Sequence, residues 1–146
     1  RPLSSFIPAN NFANLMAETR FNAFRQFRAT NAANLQLAFE LARRGKLIGL
    51  TANAYTPGAL QSDLMGQMPA PVRLLTLPFG RSADRAAAAL ADLAVGSEHA
   101  NTTGEFYKRD QPARAPRASL DAESQRRLWV ECARLLALDL TDAGAG

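Results

Sequence analysis

The residues best placed to do chemistry gather at one turn, Pro57-Gly58-Ala59-Leu60-Gln61-Ser62. Proline presets one turn dihedral, glycine admits the left-handed conformation, and a serine hydroxyl both donates and accepts hydrogen bonds. Such a segment can hold a polar ligand group against backbone amides and a hydroxyl, or simply join a strand to a helix. Tyr55, two residues before the proline, brings a phenol to the same turn and could line a substrate cavity. Elsewhere the reactive types stand alone. Cys132, with Leu128, Leu135 and Leu136 nearby, is expected to pack on an apolar helix face. His99, in Gly96-Ser97-Glu98-His99, has no cysteine or second histidine nearby, so no metal site is expected. None of the 9 glycines makes a Gly-rich loop between a strand and a helix, so no phosphate cradle is expected.

Hydrophobic spacing predicts the elements that would position these groups. Residues 1–27 mix Asn10, Asn11 and Asn14 with Phe6, Phe12, Phe21 and Phe24 and read as an ordered loop region with short helical turns. A helix is expected over 28–44, where Leu35, Ala38, Phe39 and Ala42 form an apolar stripe broadened by Leu37 and Leu41. Arg43 and Arg44 suit its C-terminal dipole, and Gly45 would stop it. The nearly uncharged run 46–54 fits a strand buried on both faces. A loop region over 55–80 follows, with a short helix near 72–77. Residues 82–139 would supply C-terminal helices and one short strand. In that stretch Ser82 caps a helix over 86–94, Gly104 to Tyr107 form the strand, and a last helix runs from near Ser119 with Asp121 and Glu123 in its first turn. Residues 140–146 read as a loose tail. A helix, a buried strand and a Pro-Gly loop at the strand's C-terminal end follow the order of an α/β, doubly wound parallel sheet, whose ligands sit at strand ends.

Asn34-Leu35 and Phe39-Glu40-Leu41-Ala42-Arg43-Arg44 resemble the active-site helix of the short-chain dehydrogenases/reductases, in the flavour of the retinol-dehydrogenase-like branch. The resemblance continues upstream through Glu18-Thr19-Arg20-Phe21-Asn22. Downstream it takes in Asn53 to Gly58, Gly104-Glu105-Phe106-Tyr107 and Arg127-Leu128-Trp129. It implies that 1–146 is the C-terminal portion of one Rossmann-like domain lacking its N-terminal Gly-rich half. In that family a Tyr exchanges a proton with the substrate oxygen, and a Lys four residues later holds the nicotinamide ribose and lowers the Tyr pKa. The register set by Asn34-Leu35 puts Phe27 at the Tyr position and Asn31 at the Lys position, with Thr30 between them. Neither can do the family chemistry. Phe27 is expected in the core and Asn31 in a local cap or hydrogen bond. Ser5, in Leu3-Ser4-Ser5, resembles the family's catalytic Ser after a strand. Pro57, Gly58, Leu60 and Ser62 resemble the loop whose backbone, at the Leu60 position, and hydroxyl, at the Ser62 position, meet the nicotinamide carboxamide.

The resemblance implies an oxidoreductase-like chain that takes NAD or NADP only with a completing N-terminal half, either upstream residues or a separate chain. Its redox activity is expected to be weak or lost. The alternative is a noncatalytic half-domain that pairs with another chain of the same family, as a homo- or hetero-oligomer. Reuse of the fold for cyclisation or isomerisation is a third reading that no residue selects. The composition, 47% hydrophobic and 21% charged, is that of a globular protein. The net charge of +4 is spread along the chain rather than gathered with stacking aromatics, so nucleic-acid binding is not expected. No run reaches the roughly 18 apolar residues of a membrane span. A cytoplasmic location is expected, and the initial Arg1 leads us to expect sequence upstream.

Overall fold

The computed structural model describes residues 12–58, 60–61 and 80–138. In chain order its elements are α1 (Ala23–Gly45), β1 (Ala54–Thr56), β2 (Leu60–Gln61), β3 (Arg81–Ser82), α2 (Ala83–Val95), β4 (Phe106–Lys108), β5 (Gln111–Pro112) and α3 (Ala122–Leu135). Short 3-10 turns occupy Phe12–Asn14, Lys46–Ile48, Ser97–His99 and Arg117–Ser119. The residues fall into two compact units, one drawn from Arg1–Ala52 and Arg114–Gly146, the other from Asn53–Ala113. No described helix is long and apolar enough to cross a membrane.

In the first unit, α1 starts ahead of the expected residue 28. Asn22 is extended, and its side-chain oxygen accepts from the Arg25 amide at 2.9 Å, capping an amide that has no partner within the helix. Residues 23–27 therefore belong to the helix rather than to a loop. At the other end the expected strand over 46–54 gives way to a 3-10 turn at Lys46–Ile48, and only Ala54 falls in a strand. The apolar run that reads as a buried strand leaves Leu47 73% and Ile48 80% exposed. Gly49 explains the difference. At φ 70° it takes the left-handed conformation that turns the chain back, and the Leu50 amide then donates to the Gly45 carbonyl at 2.9 Å. Gly45 ends the helix as its last residue because Leu50 folds onto it: a Cβ there would lie 2.7 Å from Leu50 Cδ2 and 2.9 Å from the Leu50 carbonyl oxygen.

α1 packs on α3 and on the Arg117–Ser119 turn. Its buried positions are Ala32, Gln36, Glu40, Ala42 and Gly45, so of the expected stripe Ala42 is buried while Leu35, Ala38 and Phe39 are half-buried beside the polar pair. Small residues, including Ala133 of α3, let the backbones approach, and Leu128 fills the space between at 1% exposure. Apart from Trp129 Nε1, which is buried without a hydrogen-bond partner among the described residues, the buried side-chain polar groups join a network. Glu40, 1% exposed, accepts from the Arg44 Nε at 2.7 Å and also from Arg43. Arg43 donates as well to the Gln125 side-chain oxygen. The Gln125 amide donates to the Ser119 carbonyl at 2.7 Å, and the Gln36 amide to the Ala118 carbonyl at 2.9 Å. The Arg44 guanidinium also lies over the Trp129 ring, 5.0 Å from its centroid. A buried carboxylate is tolerable only with such partners, because its desolvation costs several kcal/mol. α3 is capped by Asp121, which accepts from the Ser124 amide at 2.9 Å. The helix thus begins after Asp121 rather than near Ser119, with Glu123 in its first turn.

In the second unit β1 and β4 pair in parallel, with Tyr55 opposite Tyr107, and α2 lies between them in sequence. β5 extends that sheet antiparallel, giving the order β1-β4-β5, and β2 pairs with β3 in a separate parallel ladder. Helices and a small mixed sheet are compatible with an α/β fold. Ser82 caps α2 by accepting from the Arg85 amide. The expected helix at 72–77 and the tail at 140–146 lie outside the described residues.

The Glu40 network predicts a specific pattern of stability. Arg43→Met with Arg44→Met strands a buried carboxylate and should cost about 3–5 kcal/mol in urea unfolding. Adding Glu40→Leu to that pair should recover much of the loss, and a double variant as stable as the parent would refute the account.

Candidate functional site

Phe27 and Asn31 stand one turn apart on α1, which puts their Cβ atoms roughly 5–6 Å apart on one face. Both are exposed, Phe27 to 55%. The expected core packing of Phe27 and capping by Asn31 are therefore corrected: Phe27 faces out, and Asn31 sits within the helix. The cause is the helix period. Gln36 and Glu40 each follow their counterpart by about two and a half turns, so burying them turns Phe27 and Asn31 to the opposite side. Thr30 is exposed as well, and the neighbouring Phe24 is 71% exposed with the Arg28 guanidinium 5.7 Å from its ring centroid. Within α1 the sequence Ala23–Gly45 holds no tyrosine, cysteine or lysine beside Phe27.

In the second unit Asn53 clamps the start of β1. Its amide donates to the Thr102 carbonyl at 2.7 Å, and its oxygen accepts from the Glu105 amide at 3.0 Å. The Ala54 amide then donates to the Glu105 carbonyl at 2.9 Å. At the strand's far end the Arg109 amide donates to the Thr56 carbonyl at 2.8 Å, and Pro57 and Gly58 turn the chain away. Gly58 has φ 78°, a conformation that L side chains rarely adopt, and a Cβ there would make only ordinary contact with Arg109. The dihedral, not crowding, requires the glycine. Leu60 contributes its backbone to the β2–β3 ladder, opposite Arg81. Tyr55 donates its hydroxyl to the Ala86 carbonyl at 3.3 Å, which ties β1 to α2. Ser5 and Ser62 lie outside the described residues. Phe27 and Asn31 thus belong to one unit, and Tyr55, Pro57, Gly58 and Leu60 to the other.

Sequence reasoning missed a cavity of about 310 Å³ in the second unit. One wall is a stripe of α2 made by Arg85, Ala88, Ala89, Asp92 and Leu93. The other comes from Arg81, His99, Tyr107 and Asp110. Arg81 and Asp110 form a two-pronged ion pair, both contacts at 2.7 Å. Its hydrogen bonding raises the Arg81 pKa and holds the Asp110 carboxyl below its usual 3.8. The buried Tyr107 places its hydroxyl 3.5 Å from His99 Nδ1, ring edge against ring face. His99 Nε2 lies 3.7 Å from an Asp92 carboxylate oxygen. The i, i+3, i+4, i+7 spacing along α2 was visible in the sequence, whereas its partners come from three separated segments. No group of three or more His, Cys, Asp or Glu among the described residues could hold a metal ion. Cys132 is partly buried, and burial, with Glu131 adding to it, pushes its thiol pKa up, which disfavours the nucleophilic thiolate.

Comparison with curated proteins supports a relationship to the short-chain dehydrogenase/reductase oxidoreductases. The chain is similar to retinol dehydrogenase 13 of Homo sapiens, with 32% identity over 139 residues. The match takes in 88% of this chain but 42% of that protein, so the chain spans less than half the length of this relative. No protein family model matches the sequence.

The Arg81–Asp110 pair and the Asp121 cap set an acid limit. The Asp110 and Asp121 pKa values are both depressed in the folded chain, Asp110 by Arg81 and Asp121 by its Ser124 hydrogen bonds. The stability they add is complete above the unfolded carboxylate pKa and disappears as pH falls through the lower folded value. Melting temperature should therefore drop from about pH 5 downward. Asp110→Asn should melt lower than the parent at neutral pH and converge with it at the acid end, and a gap that persists in acid would contradict the assignment.

Proposed function

We propose that this chain is the C-terminal, nicotinamide- and substrate-facing half of an NAD(P)-binding domain of the short-chain dehydrogenase/reductase kind, with redox activity weak or lost. The observation that carries the reading is the outward Phe27–Asn31 pair on α1, at the two positions where the resembling family keeps its proton-exchanging Tyr and its Lys. The parallel β1–β4 pair with α2 between them in sequence supports the doubly wound half, and the left-handed Gly58 suits a loop that presents backbone to a ligand. When bound, the nicotinamide supplies the hydride chemistry. Pro57, Gly58, the Leu60 backbone and Ser62 are the residues that would hold it.

The positions on α1 do not fit the rest of the family apparatus. Phenylalanine has no dissociable proton and asparagine no charge, so neither the proton exchange nor the cationic hold on the ribose can pass through them. Positioned proton transfer is worth about 10²–10⁴-fold in rate, and that factor is what the chain gives up. The substrate, and the choice between NAD and NADP, would depend on the completing half.

A second reading, a noncatalytic half-domain that pairs with an intact family member, draws on the exposed aromatic strip of Phe24 and Phe27.

One assembly separates the two. The chain is combined with a Gly-rich N-terminal half, and NADH and NADPH are titrated by nicotinamide fluorescence. Saturable binding with feeble turnover, raised about 10²–10⁴-fold by Phe27→Tyr plus Asn31→Lys, is the expected result. Binding of neither cofactor would sink the first reading. Association with an intact family subunit in light scattering, lost on Phe24→Ser plus Phe27→Ser, would favour the second.

A further inference from the structure

We propose that the cavity between α2 and the β4–β5 turn is a binding site for a small hydroxy acid with a compact apolar middle. The volume comes first. About 310 Å³ lies at the low end of ligand pockets, enough for one small ring but not for a dinucleotide. The space exists because α2 carries Ala88 and Ala89 where longer side chains would fill it, and with Leu93 they make an apolar floor.

Charge then sets the direction of the occupant. Arg81 is neutralised by the two-pronged contact with Asp110. Arg85, on the same wall as the alanines, is not in direct ion-pair contact with a described carboxylate, and its charge acts on Asp110 only from a distance. A carboxylate on Arg85 would complete it with the charge-assisted, fork-shaped pairing that guanidinium groups favour. Asp92 follows Arg85 by two turns, roughly 10 Å along the axis, so the anionic end of a ligand is drawn to Arg85 and repelled from Asp92.

The far end has hydrogen-bonding capacity to spare. With its proton on Nε2, His99 faces Asp92 at 3.7 Å and accepts from the Tyr107 hydroxyl at 3.5 Å on Nδ1. These contacts are long, and hydrogen bonds normally close nearer 2.7–3.2 Å. A ligand hydroxyl reaching this end can donate to the Asp92 carboxylate or to the Tyr107 hydroxyl oxygen. Carboxylate at one end, hydroxyl at the other and an apolar centre between them define the ligand class.

The test uses the whole 146-residue chain and 4-hydroxybenzoate as the probe, followed by amide and side-chain NMR shifts. Saturable shifts at Ala88, Ala89 and Tyr107 are expected at about millimolar probe. 4-Hydroxybenzyl alcohol, which lacks the charge, and the variant Arg85→Gln should each weaken binding by about tenfold. Benzoate, which lacks the hydroxyl, should bind severalfold more weakly than 4-hydroxybenzoate. Arg85→Lys should restore part of the affinity, and Ala88→Leu, which fills the cavity on an exposed helix face, should abolish it while leaving the rest of the spectrum unchanged. No saturable shift, equal binding of the neutral alcohol, or binding that survives Ala88→Leu would each overturn the proposal.

Discussion

A single buried carboxylate governs the first unit. Glu40 can leave water only where two guanidinium groups reach it, and those belong to Arg43 and Arg44 of its own helix. The two arginines are oriented in turn by α3, one through Gln125 and the other over Trp129. α1 is thereby held at a particular rotation about its axis, with Gln36 and Glu40 inward. The outward position of Phe27 and Asn31 is the geometric complement of that choice, not an independent feature. A helix often buries its apolar stripe and shows charge to solvent. Here the stripe residues Leu35, Ala38 and Phe39 are half-buried and Ala42 is buried, and the paired Gln36 and Glu40 share the interior with them.

The second unit works by main-chain economy. β1 is three residues long, too short to hold its place by ladder bonds alone, and Asn53 supplies two further bonds just ahead of it. Tyr55 does the same on the helix side by spending its hydroxyl on Ala86. Its phenol thereby ties a strand to a helix. The tyrosine paired with it, Tyr107, lines the cavity of the second unit, and its hydroxyl faces a histidine.

What could be read from the sequence follows from the range of each signal. Ser82 and Asp121 cap their helices through amides three residues away, and that chemistry is written in adjacent letters. Asn22 carries the same signal, obscured by the phenylalanines around it. The stretch 46–54 misled because Leu47, Ile48 and Leu50 have the hydrophobicity of a buried strand, while the positive φ of Gly49 diverts the chain before a strand can form. The polar burial of α1 was illegible for a different reason: the Arg43–Gln125 and Gln36–Ala118 contacts each span 82 residues, beyond any local pattern. The family positions on α1 and at the Pro57 turn came from motif order, which places residues in a register but is silent on which side of a helix faces water.

The same separation bears on the order in which the chain can take shape. The second unit is one continuous stretch, Asn53–Ala113, and all its pairings are available once that stretch exists. The first unit is split around it, so α1 must wait for α3 before its carboxylate can be sheltered. Bringing distant segments together costs loop entropy that only later contacts repay. As the chain emerges, α1 is therefore made before the second unit but sheltered only after it, when α3 arrives.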